Sequence, residues 1–248
     1  MIQHASPPPA AEPAKTIGAL FLLPDCDMAC GFCASELGFD RMTYEQVEGL
    51  FDRLVAAGYE SVVLGGGEPC LWRDADGQRD LGDLARAAKQ RGLMVQVNTN
   101  GIRLPEDLVP ETGRPRFLSW PDVDRFVFPM DGATPERHDE LRVVKGRRPE
   151  GHFGLVQRRV AECTAADQAI TLGTVLTSRN VDEVPRLVDW MQERVAQGTR
   201  VHAWHLYRFV PVGRGGATAE LDLETERYGA ACDLAKAAGL PFPVWRRS

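Results

Sequence analysis

No stretch of this chain stays apolar for the roughly 18 residues that a membrane span requires. The N-terminus also lacks the basic flank and apolar run of a secretory signal. Neither insertion nor export is expected, and the sequence points to the cytoplasm. Positive charge is in deficit: 29 Lys and Arg face 35 Asp and Glu, for a net charge of -6. No field of the kind that draws a protein to duplex nucleic acid follows from that balance. Cysteine is too sparse for a disulfide scaffold, with six in 248 residues and three of those scattered. No solenoid-type repeat occurs. What remains is a chain with 44% hydrophobic residues, enough for one sizeable core.

Residues 1–15 are rich in Pro and Ala and read as a tail. From Thr16 onward, short apolar runs alternate with segments of helical period. Strands are predicted at 17–23, 61–64, 93–98, 125–130, 169–176 and 201–210. Helices are predicted after Thr43, over 81–88, 152–163 and 184–195, and finally over 223–238. The stretch 103–122 has four prolines and no clear period. Strands alternating with helices imply parallel βα units. The expected fold is α/β, an incomplete (β/α)6 TIM-like barrel with its site at the C-terminal strand ends. An open doubly wound sheet fits the same pattern. The barrel is expected to span 16–215, with 216–248 a helical extension completing the site.

The chemistry concentrates in Cys26-Asp27-Met28-Ala29-Cys30-Gly31-Phe32-Cys33, spaced C-x3-C-x2-C. Thiolates suit zinc or iron–sulfur clusters. A structural zinc site takes four ligands, usually closely spaced. Here the next downstream cysteine is Cys70, the next downstream histidine is His138, and His4 lies in the tail. Three ligands without a local fourth favour a cluster with one open iron, and zinc is the alternative.

This loop, with aromatic Phe32 before its third cysteine, resembles the signature of the radical S-adenosylmethionine (radical SAM) superfamily. The resemblance runs over about 17–215 and implies a [4Fe–4S] cluster on Cys26, Cys30 and Cys33. It further implies that SAM chelates the fourth iron and is cleaved to a 5′-deoxyadenosyl radical that takes a hydrogen atom from substrate. Gly65-Gly66-Gly67-Glu68-Pro69 resembles the family's GGE segment, which assigns Gly66, Gly67 and Glu68 to the SAM amino group. Asn98-Thr99-Asn100-Gly101 resembles a T-N-G placed near SAM or substrate, which marks Asn98 and Thr99. Asp131-Gly132 followed by His138-Asp139-Glu140-Leu141-Arg142 resembles a pattern in peptide- and metabolite-modifying members. It marks Asp131 as a pocket residue and Arg142 as a carboxylate partner. Pro129 stands where such members often have Ser. Thr174 is a further candidate on the fifth strand, and Phe209-Val210 would pack against adenine. Only Cys232 lies beyond the sixth strand, so no auxiliary cluster is expected. Cys70, beside the GGE segment, invites attention.

The substrate is less legible. Lys145, Arg147, Arg148, Arg208, Arg214, Arg246 and Arg247 would form a basic wall if they converged, which would suit a nucleotide-like substrate as in viperin-like enzymes. The H-D-x-x-R feature points instead to a peptide. Alternation along 201–210 puts His205, Tyr207 and Phe209 on one face, and His205 and Tyr207 are candidates to quench a substrate radical. The reading requires a low-potential electron from a flavodoxin or ferredoxin. A zinc-stabilised binding protein is the non-enzymatic alternative.

Overall fold

A computed structural model of the chain describes residues 16–35, 38–111, 113–120, 122–146 and 151–247. The predicted tail at 1–15 lies outside them.

Strand β1 (Ile17–Phe21) leads through the cysteine loop to helix α1 (Tyr44–Ala56), then β2 (Ser61–Gly65), α2 (Leu81–Gln90) and β3 (Met94–Asn98). A small antiparallel hairpin, β4 (Leu108–Val109) and β5 (Arg114–Pro115), occupies the segment that had no clear period. Next come β6 (Arg125–Pro129), α3 (Pro135–Leu141), α4 (Gly151–Ala165), β7 (Ile170–Leu176), α5 (Val184–Ala196), β8 (Val201–Arg208), α6 (Thr225–Ala237) and β9 (Val244–Arg247). Local chemistry sets the helix starts. Thr43 with Gln46 and Asp80 with Asp83 form reciprocal capping boxes at α1 and α2. Thr134 caps α3, with Pro135 at its first position.

The main sheet runs β1-β2-β3-β6-β7-β8-β9, every pairing parallel, and curls into half a barrel. All six expected strands are there. β9 is a seventh, so residues 216–248 contribute a strand as well as a helix. The first and last expected strands end two residues early. Leu22 and Leu23 leave the ladder to meet the turn after β2, and Phe209 and Val210 leave β8.

Alternation sorts the two sheet faces. Val62, Leu64, Val95, Val97, Phe126, Phe128, Ile170, Leu172, Trp204 and Leu206 face the helices and form the core. Their neighbours, including Val63, Asn98, Val127, Gly173, Val175 and Tyr207, face the concave side. Close packing of α1 explains Gly18, where an added Cβ would lie 2.7 Å from Leu54 Cδ2.

Candidate active site

The cysteine loop is gripped from three directions. The first is the turn after β2. Gly67 N donates to Leu23 O at 2.7 Å and Glu68 N to Asp25 O at 2.7 Å. Gly66 sits at φ +120, and a Cβ on Gly67 would lie 2.0 Å from Asp25 O. The glycines are thus required by contact with the backbone entering the loop, whatever else they bind. The second grip follows α3: Ala29 N donates to Val143 O at 2.7 Å, Lys145 N to Asp27 O at 2.8 Å, and Lys145 Nζ to Cys26 O at 2.8 Å. The third follows β8: Thr218 Oγ1 donates to Gly31 O at 2.7 Å, and Arg214 Nη2 to Cys33 Sγ at 2.9 Å.

Glu68 is buried and accepts from Thr99 Oγ1 (2.6 Å) and Cys70 N (3.1 Å) on one oxygen, and from Asn100 N (2.8 Å) on the other. Burial raises its pKa, and these hydrogen bonds pull the other way. The carboxylate ties the β2 turn to the end of β3. Asn100 carries the tie into the loop, its Nδ2 donating to Asp27 Oδ1 at 2.8 Å and lying 3.9 Å from Cys26 Sγ.

Burial pushes up the thiols of Cys26 and Cys30. At Cys33 burial acts in the same direction, but hydrogen bonds from Ser35 and Arg214 outweigh it and the thiol is lowered. Among the described residues, no three His, Cys, Asp or Glu side chains gather closely enough to hold one metal ion. All three thiols line one cavity, and thiolates are ligands that suit an iron–sulfur cluster. Arg214 fits the same reading, with its guanidinium against a ligand sulfur and its buried Nε without a hydrogen-bond partner.

On the far side of the loop, Arg142 pairs with the buried Asp131 and lies 4.7 Å from the Phe32 ring centroid. Asp131 Oδ1 also accepts from Val175 N at 2.7 Å. His138 and Asp139 of the same motif are structural. His138 Nδ1 accepts from Asp131 N at 3.1 Å, and Asp139 Oδ1 accepts from His152 N (3.1 Å) and Phe153 N (2.7 Å) at the start of α4.

These elements enclose a cavity of about 270 Å³ at the C-terminal strand ends. Cys26, Cys30, Phe32 and Cys33 line it, as do Gly66, Gly67, Glu68, Asn98, Thr99, Arg142 and Tyr207. Other expected residues fall elsewhere. Asp131 sits behind Arg142. Thr174 faces the helices, donating to Met130 O at 2.6 Å and accepting from Trp204 Nε1 at 2.9 Å. Period 2 decides this, because Gly173 and Val175 take the concave positions. Phe209 is buried with Met28, Cys30 and Phe32 in a small apolar cluster under the loop, and Val210 is exposed. His205 is not in the wall, but its Nδ1 lies 3.2 Å from Tyr207 Oη. Burial, then Arg247, His202 and Arg125, lower its pKa to about 4.

The expected basic wall does not assemble. Lys145 and Arg214 hold the loop, Arg208 binds Thr225 and Leu223 O, and Arg246 lies over the Tyr228 ring. Arg247 lies 5.8 Å from the Trp245 ring centroid, and Arg147 and Arg148 are outside the described residues. Cys70 is buried, with Sγ 3.5 Å from Thr99 Oγ1, and burial followed by Glu68 pushes its thiol well up. Packing accounts for it.

The Radical SAM superfamily model matches residues 20–191, and the chain belongs to that superfamily of iron–sulfur enzymes. Its cofactors are accordingly a [4Fe–4S] cluster and SAM. An AdoMet-dependent heme synthase of Methanosarcina barkeri is 26% identical over 200 residues, which is 79% of this chain and 51% of that protein. A PqqA peptide cyclase of Rhizobium meliloti is 26% identical over 170 residues, 66% of this chain and 40% of the cyclase. The chain spans about half the length of the curated relatives it matches. Among solved structures, Streptococcus suis SuiB bound to S-adenosylmethionine superposes with a TM-score of 0.66 at 15% identity, over 94% of this chain and 51% of SuiB. That likeness concerns the fold. No helix among the described residues is long and apolar enough to cross a membrane.

Proposed function

We propose that Cys26, Cys30 and Cys33 hold the cluster and that the chain abstracts a hydrogen atom from a small organic substrate inside the half-barrel. The observation that carries this reading is the convergence of the cysteine loop, the β2 turn and the end of β3 on one cavity. When bound, the cluster and SAM supply the reductive cleavage that generates the abstracting species. The chain's own residues bind and orient. The backbone of Gly66 and Gly67, with the one lone pair left on Glu68 Oε2, receives the SAM amino group. Arg142, held by Asp131 and Phe32, faces its carboxylate. Asn98 and Thr99 flank the same wall. Tyr207, its hydroxyl 3.2 Å from His205 Nδ1, offers a hydrogen atom to the substrate radical, and the tyrosyl radical left behind returns to tyrosine with an electron from the donor protein and a proton from water.

A peptide substrate is the second reading. Phe21 and Trp245, on opposite edge strands of the concave face, are about half exposed, so the face stays open to a chain laid across it. Of the basic residues that could take a nucleotide's phosphates, Lys145, Arg208, Arg214 and Arg246 are engaged elsewhere. Flavodoxin or ferredoxin would donate the electron.

The test is anaerobic reconstitution with iron and sulfide assay. Four irons with labile sulfide, and release of 5′-deoxyadenosine from SAM on reduction, support the proposal, and Cys30→Ala abolishes both. Stoichiometric zinc without sulfide refutes it.

A further inference from the structure

Two polar groups on the concave face lack partners that the rest of the molecule supplies. Arg125 opens β6. Phe126 and Phe128 face the core, so Arg125 shares the concave side with Val127 and Pro129, both in the cavity wall. Its Nε is buried without a hydrogen-bond partner, and no carboxylate of the described residues lies within ion-pair distance. Burial works against its charge, and the adjacent Asp124 offsets this only in part. Asp124 is committed elsewhere, to Lys89 Nζ at 2.8 Å and Val95 N at 2.7 Å. The second group is Thr171, fully buried, whose Oγ1 also has no partner. Ile170 and Leu172 face the core, which puts Thr171 on the concave side, in register with Val127.

The surroundings have one sign. Arg247 joins the concave face through β9, in register with Tyr207, and both Arg125 and Arg247 act on His205. The described strand residues on that face include no Asp or Glu. Glu68, at the strand ends, has both oxygens engaged. Between the cations the concave face carries Gly173, Val175 and Ala203 with polar Thr171, His205 and Tyr207, and buried Gln96 stands beside Arg125 in register on β3. A buried guanidinium nitrogen and a buried hydroxyl left unmatched cost stability, and the described residues offer neither atom a hydrogen-bond partner.

We propose that the floor of the half-barrel binds an oxyanion of the substrate, a carboxylate or phosphate on an apolar body, through the Arg125 guanidinium and the Thr171 hydroxyl. Arg125 lies four residues, or roughly 13 Å, along β6 from Pro129. An oxyanion anchored there leaves that length for the apolar body and sets the far end of the substrate beneath the cysteine loop. This subsite rests on the reading of the cavity as the substrate chamber of a radical SAM enzyme, and it narrows that substrate to an amphipathic acid.

Calorimetric titration of the reconstituted protein with hexanoate, hexyl phosphate and hexylammonium tests the subsite. One-to-one binding of an anion, with none of hexylammonium, is expected, and the preferred anion separates a carboxylate source from a phosphate source. Arg125→Gln weakens that binding about tenfold or more, while Arg79→Gln, on the outer surface, leaves it unchanged. Should Arg125→Gln fail to fold, Thr171→Val carries the test. Removing an unmatched hydroxyl at nearly constant shape raises the melting temperature and weakens anion binding several-fold, a combination a purely structural threonine does not give. Binding of hexylammonium as tight as the anions, no anion binding, or wild-type anion affinity in both variants overturns the proposal. Iron and sulfide content of the same samples keeps the two ideas apart. A missing cluster defeats the enzymatic reading, whereas a loaded protein indifferent to anions defeats the subsite alone.

Discussion

His138 Nε2 and His152 Nδ1 lie 2.8 Å apart, in stacked rings that are almost completely buried. Their ends fix both tautomers. His152 Nε2 meets Asn100 O at 2.9 Å, an oxygen that can only accept, so this nitrogen carries the proton. His138 Nδ1 accepts from Asp131 N, so its proton sits on Nε2 and is donated to His152. Both rings are neutral, and together they join the end of β6 to the end of β3. Burial lowers each pKa to about 3, with Arg142 adding to the effect at His138, and His138 then Arg142 at His152.

Acid should therefore unfold this protein through the pair. In the unfolded chain both histidines take up protons near pH 6.5, whereas in the folded chain they do so only near 3. Their contribution is complete above 6.5, shrinks as pH falls and is gone below about 3. Each histidine adds a slope of about 1.4 kcal/mol per pH unit within that window. Urea midpoints between pH 7 and 4 will fall accordingly, and His152→Gln will remove about half of that slope.

Gly67→Ala places a methyl 2.0 Å from Asp25 O, against backbone that cannot swing aside. A loss of about 3 kcal/mol is expected. The turn also anchors the cysteine loop, so iron content after reconstitution should fall with it. Denaturant melts and iron assay on one preparation check both.

Arg142→Met strands Asp131 as a buried carboxylate, which costs about 3–5 kcal/mol. Arg142→Lys keeps the charge but loses the guanidinium fork and its contact with Phe32, so a smaller loss is expected. Equilibrium unfolding of the two variants beside wild type measures the difference.

Tyr207→Phe keeps the ring in the cavity wall and removes the hydroxyl beside His205. Reductive cleavage of SAM should continue while conversion of substrate collapses. Equal substrate turnover in wild type and variant would strike Tyr207 from the mechanism.

The barrel is largely legible because its strands are short apolar runs and its helices carry regular apolar stripes. β9 escaped because Val244-Trp245-Arg246-Arg247 is a short, exposed edge strand with two arginines and prolines just before it, a poor match to a buried apolar run. Within the site, contiguous motifs were readable: the cysteine loop and Gly66-Gly67-Glu68 do meet at one cavity. Single residues were less so. Asn98 and Thr99 line the cavity, and Asn100, the next residue, lines it too and makes the bond into the loop. Thr174 looked like a pocket residue until its parity on β7 was fixed. Arg214 was seen only as one cation among several, since no local spacing reveals a partner 181 residues away.

That span of 181 residues has a consequence in time. Cys33 is synthesised 181 residues before Arg214, and Thr218 follows later still, so the loop exists for some time without the two side chains that grip it. Until Arg214 and Thr218 have been made, the three thiols lack this clamp, and the loop acquires its finished shape only when the two remote segments meet. The shape of the cysteine loop is thus set by sequence-distant contacts rather than by its own eight residues.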